Sequence, residues 1–170
     1  MKEIELSKRG KHKGKYFAIV DDEDFDRINQ FNWFYNNGYA QRVVEKTDGK
    51  RDIIHMHRQI MDTPKGMFTD HINHNTLDNR KSNLRICSKQ QNAFNIHKKV
   101  IAASKYKGLS QDRRDNSWNV RIGFNNKRIH VGWFKDEIEA AKAYDNKAKE
   151  LFGDFAKLNF PQDESLQRSA

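Results

Sequence analysis

Three side chains in this sequence have the types that phosphoryl chemistry needs: Asp70, His71 beside it, and Asn92 farther along. Hydrolysis of a phosphodiester requires a deprotonated water, positive charge on the phosphoryl oxygens, and help for the leaving oxygen. A histidine titrates near neutral pH and serves as a base. Carboxylate and amide oxygens suit a hard cation such as Mg²⁺ or Mn²⁺, which keeps several of its waters. Neighbouring residues of a strand point to opposite faces, so Asp70 and His71 reach one site only at a strand end or a twist. By themselves the three residues also fit a surface histidine and a helix-capping asparagine.

The elements around them read as strand, loop, strand and helix. A short strand over 67–72 precedes a polar, asparagine-rich loop over 73–83, and Leu84-Arg85-Ile86-Cys87 is a second short strand. Ser88-Lys89-Gln90-Gln91 has the form of a capping box, which predicts a helix from Ser88 to about His97. His74 reads as a loop contact.

Upstream, residues 1–66 read as strands with short connections. Tyr16 to Val20 is a β-rich run. A helix from Asp24 would align Phe25, Ile28 and Phe31. Trp33 to Tyr35, the turn Asn36-Asn37-Gly38, and Tyr39 to Val44 make a hairpin. A strand over 52–57 places His55 and His57 two apart, as half-exposed surface. These residues either complete the fold around Asp70 and His71 or add contacts through the basic stretch from Lys8 to Lys15.

Beyond a connector at 98–104 the pattern becomes three strands and a helix. Trp118, Val120, Ile122 and Phe124 alternate with Asn119, Arg121 and Gly123, and Ile129, Val131 and Trp133 alternate with Arg128, His130 and Gly132. The turn between them is Asn125-Asn126 or Asn126-Lys127, and either choice puts both apolar sets on one face. Asn119, Arg121, Arg128 and His130 then share the open face. A helix from near Asp136 to Gly153 presents Ile138, Ala141, Tyr144, Ala148 and Leu151 to the apolar side.

Composition narrows the partner. Among 170 residues, 32 Lys and Arg face 23 Asp and Glu, a net charge of +9, and residues 79–111 contain no acid at all. Such a block repels itself unless a polyanion neutralises it, which points to nucleic acid. The lone cysteine, Cys87, excludes an internal disulfide and a Cys-rich zinc site. No apolar run is long enough for a membrane helix, and the first residues carry no signal core, so an unexported, cytoplasmic protein is expected.

Two resemblances sharpen these readings. The run from Asp70 to Arg85, with His57-Arg58 before it, resembles the HNH nucleases of the ββα-metal (His-Me finger) class, and more narrowly the homing endonucleases of phages and their mobile introns. That resemblance implies His71 as general base and Asp70 and Asn92 as metal ligands. It also implies Asn83 as a brace for the loop and the histidine, with Asn75 and Asn79 as structural asparagines. The sequence departs from the family at Asn73-His74 and at Ile86. The stretch 105–161, through Tyr106-Lys107-Gly108-Leu109, His130-Val131-Gly132-Trp133-Phe134 and Ala140 to Asp145, is similar to the Apetala-two/ethylene-response-factor DNA-binding domain, whose sheet lies in the major groove.

The expected protein is of the α+β class. A β-rich start leads into a ββα-metal core at 67–97 within a nuclease domain at 1–97. A basic linker at 98–104, a DNA-binding domain at 105–161 with a three-stranded antiparallel sheet on one helix, and a tail at 162–170 follow. Its expected activity is metal-dependent cleavage of double-stranded DNA at a preferred site, one strand per monomer. The alternative is a regulator that binds DNA without cutting it. The DNA contacts expected are Arg80, Lys81, Arg85, Lys89 and Lys107 in the basic segment, Arg113 and Arg114 in a turn, and Asn119, Arg121, Arg128 and His130 on the open sheet.

Overall fold

A computed structural model describes residues 1–7, 9–95 and 104–161. The helix end expected at His97, most of the connector and the tail at 162–170 lie outside the described residues. The chain divides into two compact units, Met1–Asn92 and Ala93–Ala170, and its fold mixes α and β with several small sheets. Among the described residues no helix is long and apolar enough to cross a membrane.

The first unit opens with β1 (Lys2–Leu6) and β2 (Tyr16–Val20), antiparallel with Lys2 opposite Val20 and Leu6 opposite Tyr16. Their alternation sends Ile4, Leu6, Ala18 and Val20 inward, each at most 1% exposed. The helix α1 (Asp22–Asn29) starts with three acidic residues, which favour the positive end of the helix dipole. It buries Ile28, with Phe25 and Phe31 packed on the same core, as the spacing predicts.

Next come β3 (Phe34–Asn36), β4 (Tyr39–Glu45) and β5 (Arg51–His55), one antiparallel sheet in that order. Asn37 and Gly38 turn the first hairpin with φ of 47° and 89°, the left-handed pair that a two-residue turn requires. The strand predicted over 52–57 stops at His55, and α2 (Met56–Ile60) begins there. The reason is packing: Met56 and Ile60 are four apart and both enter the core, a helical spacing. His57 therefore sits on a helix and is 7% exposed, contrary to the surface-strand reading.

After α2 come β6 (Phe68–His71), β7 (Leu84–Cys87) and α3 (Lys89–Phe94), the strands pairing antiparallel with Asp70 opposite Arg85 and His71 opposite Leu84. Leu84 shares a core with Ile4, Leu6, Val20, Ile28, Trp33 and Met56, so residues 1–66 complete the fold that carries this hairpin. The capping box forms as written: Ser88 N–H donates to Gln91 Oε1 at 2.8 Å, and Gln91 N–H to Ser88 Oγ at 3.2 Å.

In the second unit β8 (Leu109–Gln111), β9 (Trp118–Phe124) and β10 (Lys127–Phe134) form an antiparallel sheet in the order β10-β9-β8. Asn125 and Asn126, with φ of 50° and 60°, make the turn. The helix α4 (Glu137–Phe152) is capped by the Asp136 carboxylate, which accepts from Glu139 N–H at 2.8 Å. It covers Leu109, Val120 and Ile122 with Ala140, Ala141, Tyr144, Ala148 and Phe152.

Two expectations fail here. Ile138 is 47% exposed, and Ala140 and Phe152 take its share of the core. Trp133, expected inward, is 51% exposed, because a bulge between His130 and Gly132 changes the parity of the strand. Trp133 then lies opposite Asn119 and packs its ring 5.9 Å from that of His130.

Candidate active site

Asp70, His71 and Asn92 line one cavity of the first unit, about 440 Å³, together with Tyr39, His55, His57, Arg58, Phe68, Thr69, His74 and Thr76. The end of β6 supplies Asp70 and His71, both buried, and α3 supplies Asn92. Asp70 is gripped by Arg85 across the hairpin: Nε and Nη2 donate to Oδ2 at 2.9 and 2.7 Å. Arg58 donates to the carbonyls of Thr63, Pro64 and Met67, which fixes the chain entering β6.

The loop between β6 and β7 is built by its asparagines. Asn83 Oδ1 accepts from Asn73 N–H, and its Nδ2 donates to the Asp78 carbonyl. Asn75 Oδ1 accepts from Leu77 N–H. The loop docks on β2, where Ile19 N–H donates to Leu77 O and Asn79 N–H to Ile19 O, both at 2.8 Å. Asn79, 1% exposed, donates from Nδ2 to Leu77 O, which turns its Oδ1 toward His71 Nε2 at 3.4 Å. Asn79 thus meets the histidine ring at Nε2, while Asn83 holds the loop. An amide oxygen at Nε2 favours the tautomer protonated there, leaving Nδ1 as the acceptor.

Burial pushes His71 below the ordinary histidine value, against the opposing pull of Asn79, Asp70 and Asp78. His57 stands edge-on to His71, ring centroids 5.0 Å apart, and His55 lies 5.2 Å from His57. Burial, then the neighbouring His71, His55 and Arg58, push His57 down to about 3. The sequence reading named His57 in the His57-Arg58 pair but put it on a half-exposed strand; the signal for its burial was the four-residue spacing of Met56 and Ile60, which marks a helix. No group of three or more His, Cys, Asp or Glu among the described residues is arranged to hold a metal ion. A cation here would depend on Asp70, the Asn92 amide oxygen and water, a donor set that suits Mg²⁺.

Several cations expected to face a polyanion are engaged elsewhere. Arg80 clasps Asp78 through Nε and Nη2, both at 2.7 Å, and holds its carboxyl below the usual range. Lys81 pairs with Glu23 and Asp24 of α1, and Arg85 with Asp70. Acids outside the segment, Asp78 at its edge and Glu23, Asp24 and Asp70 farther off, thus pair with Arg80, Lys81 and Arg85. In the second unit Lys107 is turned inward and donates to the Phe94 carbonyl at 2.8 Å, and Arg114 is held by Asp112. Asn119 is 4% exposed. Lys89, Arg113, Arg121, Arg128 and His130 are exposed, with no ion pair among the described residues.

The sequence profile described as HNH endonuclease matches residues 62–94, which hold β6, β7, α3 and the loop. The chain is 32% identical over 157 residues to an uncharacterized HNH endonuclease of Acanthamoeba polyphaga mimivirus, covering 88% of this chain and 78% of that protein. It is also 30% identical over 95 residues to Protein 3.8 of Escherichia phage T7, covering 56% of this chain and 78% of the phage protein. A stretch of 59 residues, 34% of this chain, is 41% identical to an ethylene-responsive transcription factor of Arabidopsis thaliana, of which it spans 14%. With the histidine, carboxylate and amide gathered at the matched segment, and with a relative aligned along most of both lengths, the chain belongs to the HNH endonucleases.

Proposed function

We propose that this nuclease cuts double-stranded DNA at a preferred site, as a metal-dependent enzyme of homing type that nicks one strand per monomer. The observation that carries the reading is the cavity where Asp70, His71 and Asn92 meet, with His71 oriented by Asn79. In this reading β6, β7 and α3 are the ββα-metal unit. Asp70 and Asn92 would hold Mg²⁺ or Mn²⁺, which when bound lends positive charge to the phosphoryl oxygens and the departing 3′ oxygen. His71, with Nε2 facing Asn79 and its affinity for protons lowered by burial, rests neutral and takes a proton from water at Nδ1. The oxygen–phosphorus bond forms as the bond to the 3′ oxygen breaks. Arg85 keeps the Asp70 carboxylate in place, and His57 and Tyr39 wall the ring of His71.

The second unit supplies placement on DNA. Arg121, Arg128 and His130 stand on the open side of the sheet, with Trp133 beside them through the bulge, and Arg113 adds exposed positive charge, as Lys89 does in the first unit. Arginine at such a surface suits guanine edges and phosphates.

The test is selection of cleaved sites from a genomic library in Mg²⁺, followed by cleavage of a supercoiled plasmid carrying the selected site. Nicked circles that vanish in EDTA and with His71→Ala are the expected outcome. Tight binding to the selected DNA with no relaxation would overturn the reading.

A further inference from the structure

We propose that Asn119 reads an adenine edge in the major groove once Trp133, its cover, turns aside; this rests on the DNA-placing role proposed above for the sheet. Asn119 sits on β9, the middle strand, with the parity of the exposed Arg121, so its side chain belongs to the open face. Yet it is only 4% exposed, and its Oδ1 is shielded with no hydrogen-bond partner among the described residues. A shielded polar atom is costly to leave unpaired, and this one lies on the face turned away from the core. The groups in register with it are Trp133 on β10 and Ser110 on β8. The serine is small, so the indole is the cover, and the bulge between His130 and Gly132 brings it to this face.

The orphaned atom fixes the chemistry of its partner. An acceptor needs an N–H or O–H, which an ionised phosphate lacks, so the phosphate backbone is excluded. In the major groove adenine N6 and cytosine N4 supply N–H groups, and adenine alone sets an acceptor, N7, beside its donor. The asparagine amide matches that pair, Oδ1 taking a hydrogen from N6 and Nδ2 giving one to N7. Trp133 has room to move: half in solvent, it forms one wall of a cleft of about 460 Å³ that runs to Ser117 and Lys135. Docking on DNA turns the ring toward that cleft and opens Asn119 to the base.

The test selects sites by binding from a random duplex library in EDTA, so that cleavage plays no part. Each adenine of the selected site is then replaced by 7-deazaadenine, which lacks the N7 acceptor. The parent should lose affinity about 10-fold at one adenine. Asn119→Ala should show no loss at that position and the parent's losses at every other. Relieved of an unpaired acceptor, this variant should melt no lower than the parent. Should it melt lower, Asn119→Asp is measured in its place, and should move the preference there from adenine to cytosine, whose N4 donates to a carboxylate. Trp133 emission, taken as the difference from Trp133→Phe, should shift on selected DNA and not on unrelated DNA. A parent indifferent to every 7-deazaadenine, a variant with the parent's full profile, or unmoved emission would overturn the proposal and leave the sheet as the DNA-binding surface. A library that yields no preferred site would count against both readings.

Discussion

In the first unit, the polar side chains His57, Asp70, His71, Asp78, Asn79 and Asn83 are buried at or behind the cavity. In the second, Arg113, Arg121 and Arg128 stand in solvent outside a core of Leu109, Val120, Ile122, Ala141 and Tyr144. Burying polar groups is costly unless each finds a partner, and here the partners are specific: Arg85 for Asp70, Arg80 for Asp78, Asn79 for His71. An exposed guanidinium costs little to place and acts through its charge. Changes in the first unit should therefore alter rate and stability together, and changes on the open sheet should alter affinity alone.

The largest effect expected is on His71. His71→Ala should slow DNA cleavage by about 10²–10⁴-fold while a gel-shift assay in EDTA shows unchanged affinity for DNA. A matching loss of affinity would mean that the two units do not divide the work.

Gly108→Ala is the corresponding lesion in the second unit. A Cβ there would lie 2.0 Å from the Tyr144 ring and 3.0 Å from the Arg121 carbonyl, at φ +85°. Overpacking and the left-handed backbone together should cost about 3 kcal/mol. Hydrogen exchange should accelerate in β9 and β10 and stay unchanged in β1 and β2; uniform acceleration would show a single cooperative core.

Acid should act on the first unit through His57. Folded, it takes a proton only at about 3, against 6.5 ordinarily, so between those values the unfolded chain binds more protons. Stability is therefore full above about pH 6.5 and falls as the pH drops toward 3. Urea midpoints measured across this range should fall with acidification, and His57→Gln should flatten the slope.

Arg121→Ala and Arg128→Ala should each make the plot of log K against log salt shallower by about 1, with the rate on saturating DNA unchanged. An unaltered slope would remove these residues from the phosphate contacts. The smallest change expected is for Ile138→Ala: exposed as it is, it should shift stability by less than about 0.5 kcal/mol, whereas a large loss in thermal melting would restore it to the core.

How far the sequence alone reached depended on whether the information was local. The capping box at Ser88 and Gln91, a tight turn within Asn125-Asn126-Lys127, and the strands over Tyr16–Val20 and Leu84–Cys87 are written in adjacent residues, and all appear, the turn at the first of its two possible pairs. What stayed hidden depends on distance or on a single inserted residue. Nothing near Lys81 announces its partner Glu23. The bulge before Gly132 leaves the alternation of residue types untouched while reversing where Trp133 points. His57 was obscured by a run of apolar and histidine residues that suits a strand until Met56 and Ile60 are seen to pack together. For the site, the residue types and their grouping could be read in advance, but the neighbour that orients His71 could not, because Asn79 owes its position to a strand far upstream.

That bridge between Ile19 and the loop sets how small a working piece of this protein can be. A fragment trimmed to 62–94 would keep the whole matched segment, with the imidazole, carboxylate and amide all present. It would lack the backbone rail on which residues 77–79 rest, and the apolar floor beneath Leu84. The recognisable signature and the smallest autonomous catalyst are therefore different lengths of chain, and grafting the former onto another scaffold would transfer the letters of the site without its posture.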